Sequence, residues 1–316
     1  MQYKQSFGLN RQIGYKKGIN EDIMLIFHAD DYGLSGNVSN DILSLAQKGF
    51  LDSISIIPNM SCFHSCMEMF HDKTNDHIRR LMLSVHLNLM EGHCCAAPSQ
   101  VPLLVNANGY FKLSWSFLFM ISYHPFLRRQ YRKQLSAELD AQIKVFLEQM
   151  PSDYRLRIDS HQHTHLVPVV WDALYDVLKK NNYNCEFIRI PSEPLLPYLK
   201  VPSLYPSYDL LGFLKNLALR FCAIHARRRL IIPMKNRFSL WGLVMGGHMD
   251  QQRILKLLPH FKKYGEASDT LCLLFHPGIL LANELSPEYN NPDFRMAETN
   301  PNRRMEYQSV CSLRNS

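Results

Sequence analysis

The chemistry of this chain is organised around one stretch, HADDYG, residues 28–33. The apolar run before it, residues 23–27, predicts a buried strand that carries Asp30 and Asp31 to its carboxyl end. That end of a strand is where α/β proteins place their functional side chains. Because neighbouring side chains point in different directions there, one aspartate can bind a metal ion while the other stays free as a base. Alternatively, one aspartate caps the next helix and the other lies in a solvated turn.

The length and composition of the chain predict one large α/β domain. The chain has 316 residues, of which 46% are hydrophobic, and this is enough to bury a full core. We expect a single domain over residues 1–316, with its core at about 22–285. A longer basic insertion is expected at about 191–245, a loosely held lead-in at 1–20, and a polar tail at 287–316 that wraps the surface or is partly disordered.

Charge and cysteine content limit the compartment and the classes of partner. The formal net charge of +7 permits an anionic surface as a partner but does not require one. The eight cysteines show neither zinc-site spacing nor a disulfide framework, so we expect reduced thiols in a cytoplasmic protein. Residues 1–20 have no apolar core of signal-peptide length, and no apolar run approaches the roughly 18 residues that span a bilayer. No glycine-rich phosphate loop is present, and we expect neither a nucleotide cofactor nor a nucleic-acid partner.

Strands and helices alternate along the sequence, which predicts a mostly parallel sheet with helices outside it. A barrel-like closure of that sheet would gather the carboxyl ends of the strands on one rim. The last predicted helix is expected to stop before Pro259. Strands are predicted at about 22–28, 52–59, 81–89, 155–159, 186–190 and 270–276, and helices at about 34–48, 61–70, 134–149, 168–180 and 251–258.

Potential metal ligands follow several of these strands. A carboxylate, two or three imidazoles and an open position are the ligand set of a catalytic divalent metal such as zinc. The spacing of His161, His163 and His165 leaves open which of the three binds, and Asp159 could equally orient a ligand imidazole. A lone histidine on a strand is more often a hydrogen-bonded core residue, but four elements agree here. The strand-end groups are Asp30, Asp31, His86, Asp159, His161, His163, His165 and His276.

Four motifs together resemble the YdjC/ChbG-type carbohydrate deacetylases. They are ADDYGLS at residues 29–35, HLNLMEG at 86–92, DSHQHTH at 159–165 and HPG at 276–278, in the order of that family. The resemblance implies a deformed (β/α) barrel related to the polysaccharide deacetylases. It also implies a metal-dependent hydrolase that removes an N-acetyl group from an amino sugar, in an oligosaccharide or a glycolipid, with release of acetate.

The resemblance also implies a role for each matching residue. Asp31, His86 and His161 are expected to hold a divalent cation, Mg²⁺ or Zn²⁺. Asp30 is expected to be the general base, and His276 the acid that protonates the departing amine. One departure is His28, which replaces an asparagine frequent in the family, and it bears on which sugar is bound. Residues expected to bind the substrate or support the metal ligands are Asp159, His163, His165, Asn88 and Glu91.

Two other functions remain open from the sequence. A non-catalytic metal- or sugar-binding barrel would use the same histidines to hold an ion, but an extra aspartate beside the ligand would be superfluous. A metal-dependent hydrolase of another bond is the second alternative. A glycosidase usually needs two acidic residues flanking the bond, and a phosphoesterase often needs a second metal.

Two apolar and aromatic stretches, residues 113–127 and 211–232, each run into a cationic cluster. This pattern is typical of a segment lying on an anionic membrane, and it predicts a lipid-linked substrate at the inner membrane face. The alternative is that both stretches are buried helices of the outer layer or of a homodimer interface. The cationic residues are Arg128, Arg129, Arg132 and Lys133 after the first stretch, and Arg227, Arg228 and Arg229 within the second.

Overall fold

The structure is a computed structural model that describes residues 23–191, 193–208, 210–229, 238–264, 270–289 and 291–315. The predicted lead-in at 1–20 and part of the basic insertion lie outside the described residues. Within the described ranges, no helix combines the length and the apolar character needed to cross a bilayer. All eight cysteines are free in the structure.

The core is one sheet of parallel strands. The strands are β1 (Met24–Tyr32), β2 (Ser53–Ile56), β3 (Met82–Leu87), β4 (Leu156–Ser160), β5 (Cys185–Ile188), β6 (Phe238–Trp241) and β7 (Thr270–Phe275). They are hydrogen-bonded in the order β5-β4-β3-β2-β1-β7-β6, and every pairing is parallel. The sheet curls into a half-barrel with helices around it, which confirms the predicted α/β fold of the deformed-barrel type.

Helices connect the strands and cover the sheet. The predicted first helix begins where expected, because the Ser35 side chain accepts a hydrogen bond from Val38 N and caps it. Short 3-10 helices lie at Ile78–Arg80, Pro98–Gln100, His161–Leu166, Leu196–Lys200, Pro202–Ser207 and Ala282–Glu284. The α-helices are α1 (Gly36–Gln47), α2 (Phe63–Asp72), α3 (Trp115–Ile121), α4 (Leu127–Leu147), α5 (Pro168–Asn181), α6 (Leu210–Arg228), α7 (Gln251–Tyr264), α8 (Pro292–Glu298) and α9 (Asn302–Asn315).

Three local predictions are wrong. Helix α4 begins at Leu127, although it was expected to begin at about residue 134. Helix α7 continues through Pro259 although it was expected to stop there. Proline removes one helix hydrogen bond, but the buried apolar face of α7 packs against the core and outweighs that loss. Strand β6, four residues long, was not predicted. The buried face of α7 consists of Ile254, Leu257, Leu258 and Phe261.

The polar tail is folded, which corrects the expectation of a surface wrap or disorder. Residues 292–315 form α8 and α9, and Phe294, Val310 and Leu313 are buried. These apolar residues are few, so the composition of the tail concealed them. Glu306 of α9 is also fully buried and accepts a hydrogen bond from the backbone N of His276. The tail therefore contributes to the same edge of the sheet as the predicted site.

The turn after β1 requires an unusual backbone. Pairing with β2 shifts register between Ala29 and Tyr32, and Asp31 takes a φ of 72°. Gly33 follows with a φ of 91°, and a Cβ there would lie 2.7 Å from the backbone oxygen of Ile57. Glycine is thus needed at this position for both conformation and space. The turn fixes where the two aspartates stand.

We expect the substitution Gly33→Ala to lower the free energy of unfolding by about 1–3 kcal/mol, the usual cost of a residue other than glycine in the left-handed region. Gly36→Ala is the matched control, because Gly36 lies in α1 and a Cβ added there would meet its nearest neighbour, Glu284 Oε1, at 3.4 Å. Urea unfolding of both variants measures the difference. Equal stabilities would contradict the account of this turn.

Candidate metal and catalytic site

Three predicted metal ligands converge at the carboxyl edge of the sheet. Asp31 is the penultimate residue of β1, His86 lies on β3, and His161 follows β4. Asp31 Oδ1 lies 3.4 Å from His86 Nε2 and 3.0 Å from His161 Nδ1. All three side chains are buried, and their potential ligand atoms lie within 4.8 Å of one another. The structure therefore brings together the three residues that the sequence singled out.

The chemistry of these groups fits a divalent cation. His86 donates a hydrogen bond from Nδ1 to Asp159 Oδ1 at 2.6 Å, and its Nε2 faces Asp31. A carboxylate that holds the outer nitrogen of a ligand imidazole is a common feature of metal sites. His161 Nε2 is buried without a hydrogen-bond partner. Two imidazoles and a carboxylate are a ligand set suited to Zn²⁺, and a cation would replace the hydrogen bond that joins His161 Nδ1 to the Asp31 carboxylate.

The other two histidines of the DSHQHTH motif lie outside this group. His165 contacts Ser160 Oγ through Nδ1 and donates from Nε2 to the backbone oxygen of Arg189 at 2.6 Å. Burial lowers the pKa of His165 to about 4, so it is neutral and links the ends of β4 and β5. His163 is buried, and its Nδ1 has no hydrogen-bond partner. The backbone explains the separation, since Gln162 and His163 adopt left-handed φ values of 52° and 56°.

Asp30 has different surroundings from its neighbour Asp31. Arg189 Nη1 lies 2.9 Å from Asp30 Oδ2 and 3.0 Å from Oδ1, and His28 Nε2 lies 2.7 Å from Oδ1. Burial raises the pKa of Asp30, but the charge of Arg189 and the neighbouring histidines His86 and His28 hold it well below its usual range. Asp30 is therefore a charged carboxylate, held in place beside the group of Asp31.

A second group with metal-ligand spacing consists of His28, Asp30 and Asp159. Here the protein supplies the positive charge itself, because Arg189 Nη2 lies 2.7 Å from Asp159 Oδ2 and Nη1 contacts Asp30. An arginine that already occupies these carboxylates leaves them less able to bind a cation. The geometry thus favours the group of Asp31 as the metal site.

Sequence reasoning did not identify Arg189 and treated His28 only as a departure from the family pattern. Arg189 directly follows β5 and is almost fully buried. An isolated arginine in an apolar strand end before Pro191 is a signal that could have identified it. The imidazole of His28 also contacts Ser53 Oγ at 2.6 Å and Ser55 Oγ at 2.9 Å. Both residues support the carboxylates.

The remaining predicted residues have separate environments. Asn88 Oδ1 accepts from the backbone N of Met90 and of Glu91, so its side chain shapes the turn after β3. The Glu91 carboxylate is buried near Asn291, and burial raises its pKa to about 8. His276 follows β7 with a side chain 21% exposed, and its Nδ1 lies 3.9 Å from Glu306 Oε2. Phe294 of α8 meets the His161 ring edge-on, a contact that the sequence did not predict.

A curled parallel α/β sheet with a carboxylate–imidazole group at its carboxyl edge defines the class of this protein. The chain matches the family model described as YdjC-like protein over residues 24–315, and it belongs to that family. This confirms the resemblance found in the four motifs.

Similar proteins include several named carbohydrate deacetylase. The one from Halalkalibacterium halodurans is 28% identical over 158 residues, which cover 49% of this chain and 58% of its own length. The Xenopus laevis protein is 28% identical over 172 residues, with 54% and 52% covered. The human protein is 25% identical over 267 residues, with 80% and 74% covered. The alignments with the first two relatives thus span little more than half of their length.

One solved structure shares the fold. It is described as a putative cellobiose-phosphate cleavage protein from Enterococcus faecalis, and it aligns with a TM-score of 0.54 at 19% identity. The alignment covers 93% of this chain and 95% of that chain. At this identity the likeness supports the architecture alone.

We expect Asp31→Ala and His161→Ala to lower the bound divalent metal to well below one equivalent, because each removes one of three ligands. His163→Gln is the matched control from the same motif and should retain the metal. Elemental analysis after dialysis against Zn²⁺-containing buffer measures the ratio of metal to protein. Loss of metal in His163→Gln with retention in His161→Ala would reverse the assignment.

Proposed function

We propose that this protein is a metal-dependent hydrolase that removes the N-acetyl group from an amino sugar and releases acetate. The observation that carries this proposal is the different environment of two adjacent carboxylates. Asp31 stands with His86 and His161, whereas Asp30 stands with Arg189 as a charged group beside them. The relatives named carbohydrate deacetylase support the substrate class.

Asp31, His86 and His161 would hold the cation, and their two imidazoles favour Zn²⁺ over Mg²⁺. When bound, a divalent cation supplies Lewis acidity for the acetyl carbonyl and for the attacking water. Asp159 keeps the His86 ring in the orientation and tautomer that a ligand needs.

Asp30 is the proposed general base. Its low pKa keeps it ionised at neutral pH, so it can accept a proton from the attacking water. The water oxygen bonds to the acetyl carbon, and the carbon–nitrogen bond then breaks to give acetate and a free amine. Arg189 and His28 fix the Asp30 carboxylate in one orientation, which keeps the base aligned with the acetyl group.

His276 is the proposed donor of the proton that the departing nitrogen needs. Burial and the positive charge of Arg303 lower its pKa, so its imidazole is neutral before the substrate binds. The proton that Asp30 takes from the water therefore has to reach His276 during turnover, and its transfer to the departing nitrogen returns both groups to their starting forms. Glu306 contacts the backbone of His276 and fixes its position at the end of β7.

Acetate release tests the proposal directly. Protein loaded with Zn²⁺ or Mg²⁺ is assayed on a panel of N-acetylated amino sugars, from free monosaccharides to oligosaccharides and glycolipids. We expect release of one acetate per amine freed on at least one member. Metal-loaded protein that is inert on the whole panel would favour a non-catalytic binding barrel.

We expect Asp30→Asn to keep the metal and to lose turnover by about 10²-fold or more, the scale usual for loss of a general base. The amide has nearly the same shape as the carboxylate but cannot accept the proton. Metal content and acetate release are measured on the same preparation. Metal loss in Asp30→Asn as large as in Asp31→Ala would contradict the division of roles.

We expect His276→Ala to slow hydrolysis of the amide far more than hydrolysis of an activated acetate ester. The ester's leaving group barely needs a proton, whereas an amine does. The ratio of the two rates in the variant and in wild-type protein measures this. An equal loss on both substrates would assign His276 a structural role or a role in stabilising the oxyanion.

A further inference from the structure

Helix α6 carries a row of large apolar side chains on the face turned to solvent. They recur at intervals of four and three residues, so they line one side of the helix. Each is about half exposed or more, which is unusual for a contiguous set of large aliphatic and aromatic residues. The row consists of Leu210, Leu214, Leu217, Phe221 and Ile224.

Helix α3 and the residues after it extend this apolar area. The ring of Phe119 contacts that of Phe221 at a centroid distance of 6.3 Å, so the two segments are neighbours. The exposed side chains of Met120, Tyr123 and Phe126 lie in the same segment, and Phe126 is 78% exposed. We call the row on α6 together with these three residues the α3–α6 surface. In the single chain this face is therefore exposed and is not buried in the outer layer, one of the two forms of the alternative.

The charged side chains within the two segments have one sign. Neither residues 115–133 nor residues 210–229 include an aspartate or glutamate. Exposed arginines stand within both segments. They are Arg129, Arg220, Arg227 and Arg228.

A buried carboxylate holds the two segments together. Asp172 of α5 is ion-paired with Arg128 at the start of α4. It also lies 3.1 Å from His225 Nε2 and 3.1 Å from Arg229 Nη1 at the end of α6. These contacts on one buried carboxylate fix α6 beside the α3–α4 segment. The position of the α3–α6 surface is thus fixed by the fold.

The α3–α6 surface also adjoins the candidate site. Helix α6 packs against the segment 161–166, which carries His161. Asn216 on the inner side of α6 donates a hydrogen bond to the backbone oxygen of Glu193. A molecule bound to the outer face of α6 would therefore lie one helix away from the proposed metal group.

We propose that the α3–α6 surface docks on an anionic lipid bilayer, and that the site acts on amino sugars presented there. The apolar row would enter the boundary between headgroups and acyl chains while the arginines meet anionic headgroups. A second copy of the chain is a poorer occupant, because a two-fold interface would set this cationic surface against itself. The substrate part rests on the proposed function, whereas the docking part does not.

Vesicle flotation tests the docking. Vesicles of phosphatidylcholine alone and of phosphatidylcholine with phosphatidylglycerol are mixed with the full chain at low and high salt. We expect flotation with the anionic vesicles at low salt and a marked loss at high salt. Arg227→Gln/Arg228→Gln should lower the partition coefficient more than tenfold, since each basic residue near such a membrane contributes roughly a fivefold change.

Matched controls separate the surface from general effects. Arg79→Gln/Arg80→Gln removes two exposed arginines elsewhere and should float like wild-type protein. Leu214→Glu/Phe221→Glu should abolish flotation. Its control is Leu255→Glu/Leu285→Glu, which changes two residues outside the α3–α6 surface that are each 41% exposed. This control should leave flotation unchanged. Thermal unfolding shows whether each variant is folded. If Leu214→Glu/Phe221→Glu is unfolded, Arg227→Gln/Arg228→Gln still tests the proposal.

The outcomes distinguish this proposal from the proposed function. Failure of wild-type protein to float with anionic vesicles, or unchanged flotation of Arg227→Gln/Arg228→Gln, would overturn docking. So would a solution dimer that Leu214→Glu/Phe221→Glu dissociates, which would assign the surface to a second copy. Acetate release by wild-type protein from a water-soluble substrate without vesicles tests the proposed function separately. Release that is no faster from a vesicle-borne N-acetylated glycolipid than from its water-soluble headgroup would overturn the substrate part alone.

Discussion

Balanced burial of negative charge is the constraint on which the site depends. Asp30, Asp31 and Asp159 all lie in the core, where an uncompensated carboxylate costs several kcal/mol. Arg189 balances Asp30 and Asp159, whereas Asp31 meets only imidazoles among its polar side-chain contacts in the described part of the chain. Arg189 is thus a built-in cation for Asp30 and Asp159, whereas the group of Asp31, His86 and His161 is a place that a metal ion would complete. Asp30, the proposed base, is thus paired with Arg189, whereas Asp31, the proposed metal ligand, is paired with imidazoles.

The curl of the sheet makes that balance possible. Arg189 follows β5 and Asp30 lies on β1, four strands away in the sheet order. In a flat sheet this separation would be about 19 Å, yet the two side chains are 2.9 Å apart. The tail then completes the edge, because Glu306 binds the backbone of His276 and Phe294 covers the His161 ring. The chain therefore assembles the site from residues far apart in sequence.

The sequence predicts the strand-end ligands because motif and strand coincide there. Asp31, His86 and His161 each follow or end an apolar run, so their convergence needs only a parallel sheet. Arg189 could not be paired with Asp30 in advance, because their contact depends on curvature and not on periodicity. The tail was missed for another reason, since Phe294 and Val310 are isolated apolar residues in a polar segment. The choice among the three motif histidines depends on the left-handed backbone at 162 and 163, which no spacing rule reveals.

The central claim is that the two adjacent aspartates have different partners. Asp31 binds the cation together with His86 and His161, whereas Asp30 pairs with Arg189 and does not bind it. X-ray diffraction from crystals grown with Zn²⁺, using anomalous scattering at the zinc edge, tests this most directly. The account predicts one strong anomalous peak in contact with Asp31, His86 and His161, and an intact contact between Arg189 and Asp30. A peak among His28, Asp30 and Asp159, with Arg189 displaced, would contradict it.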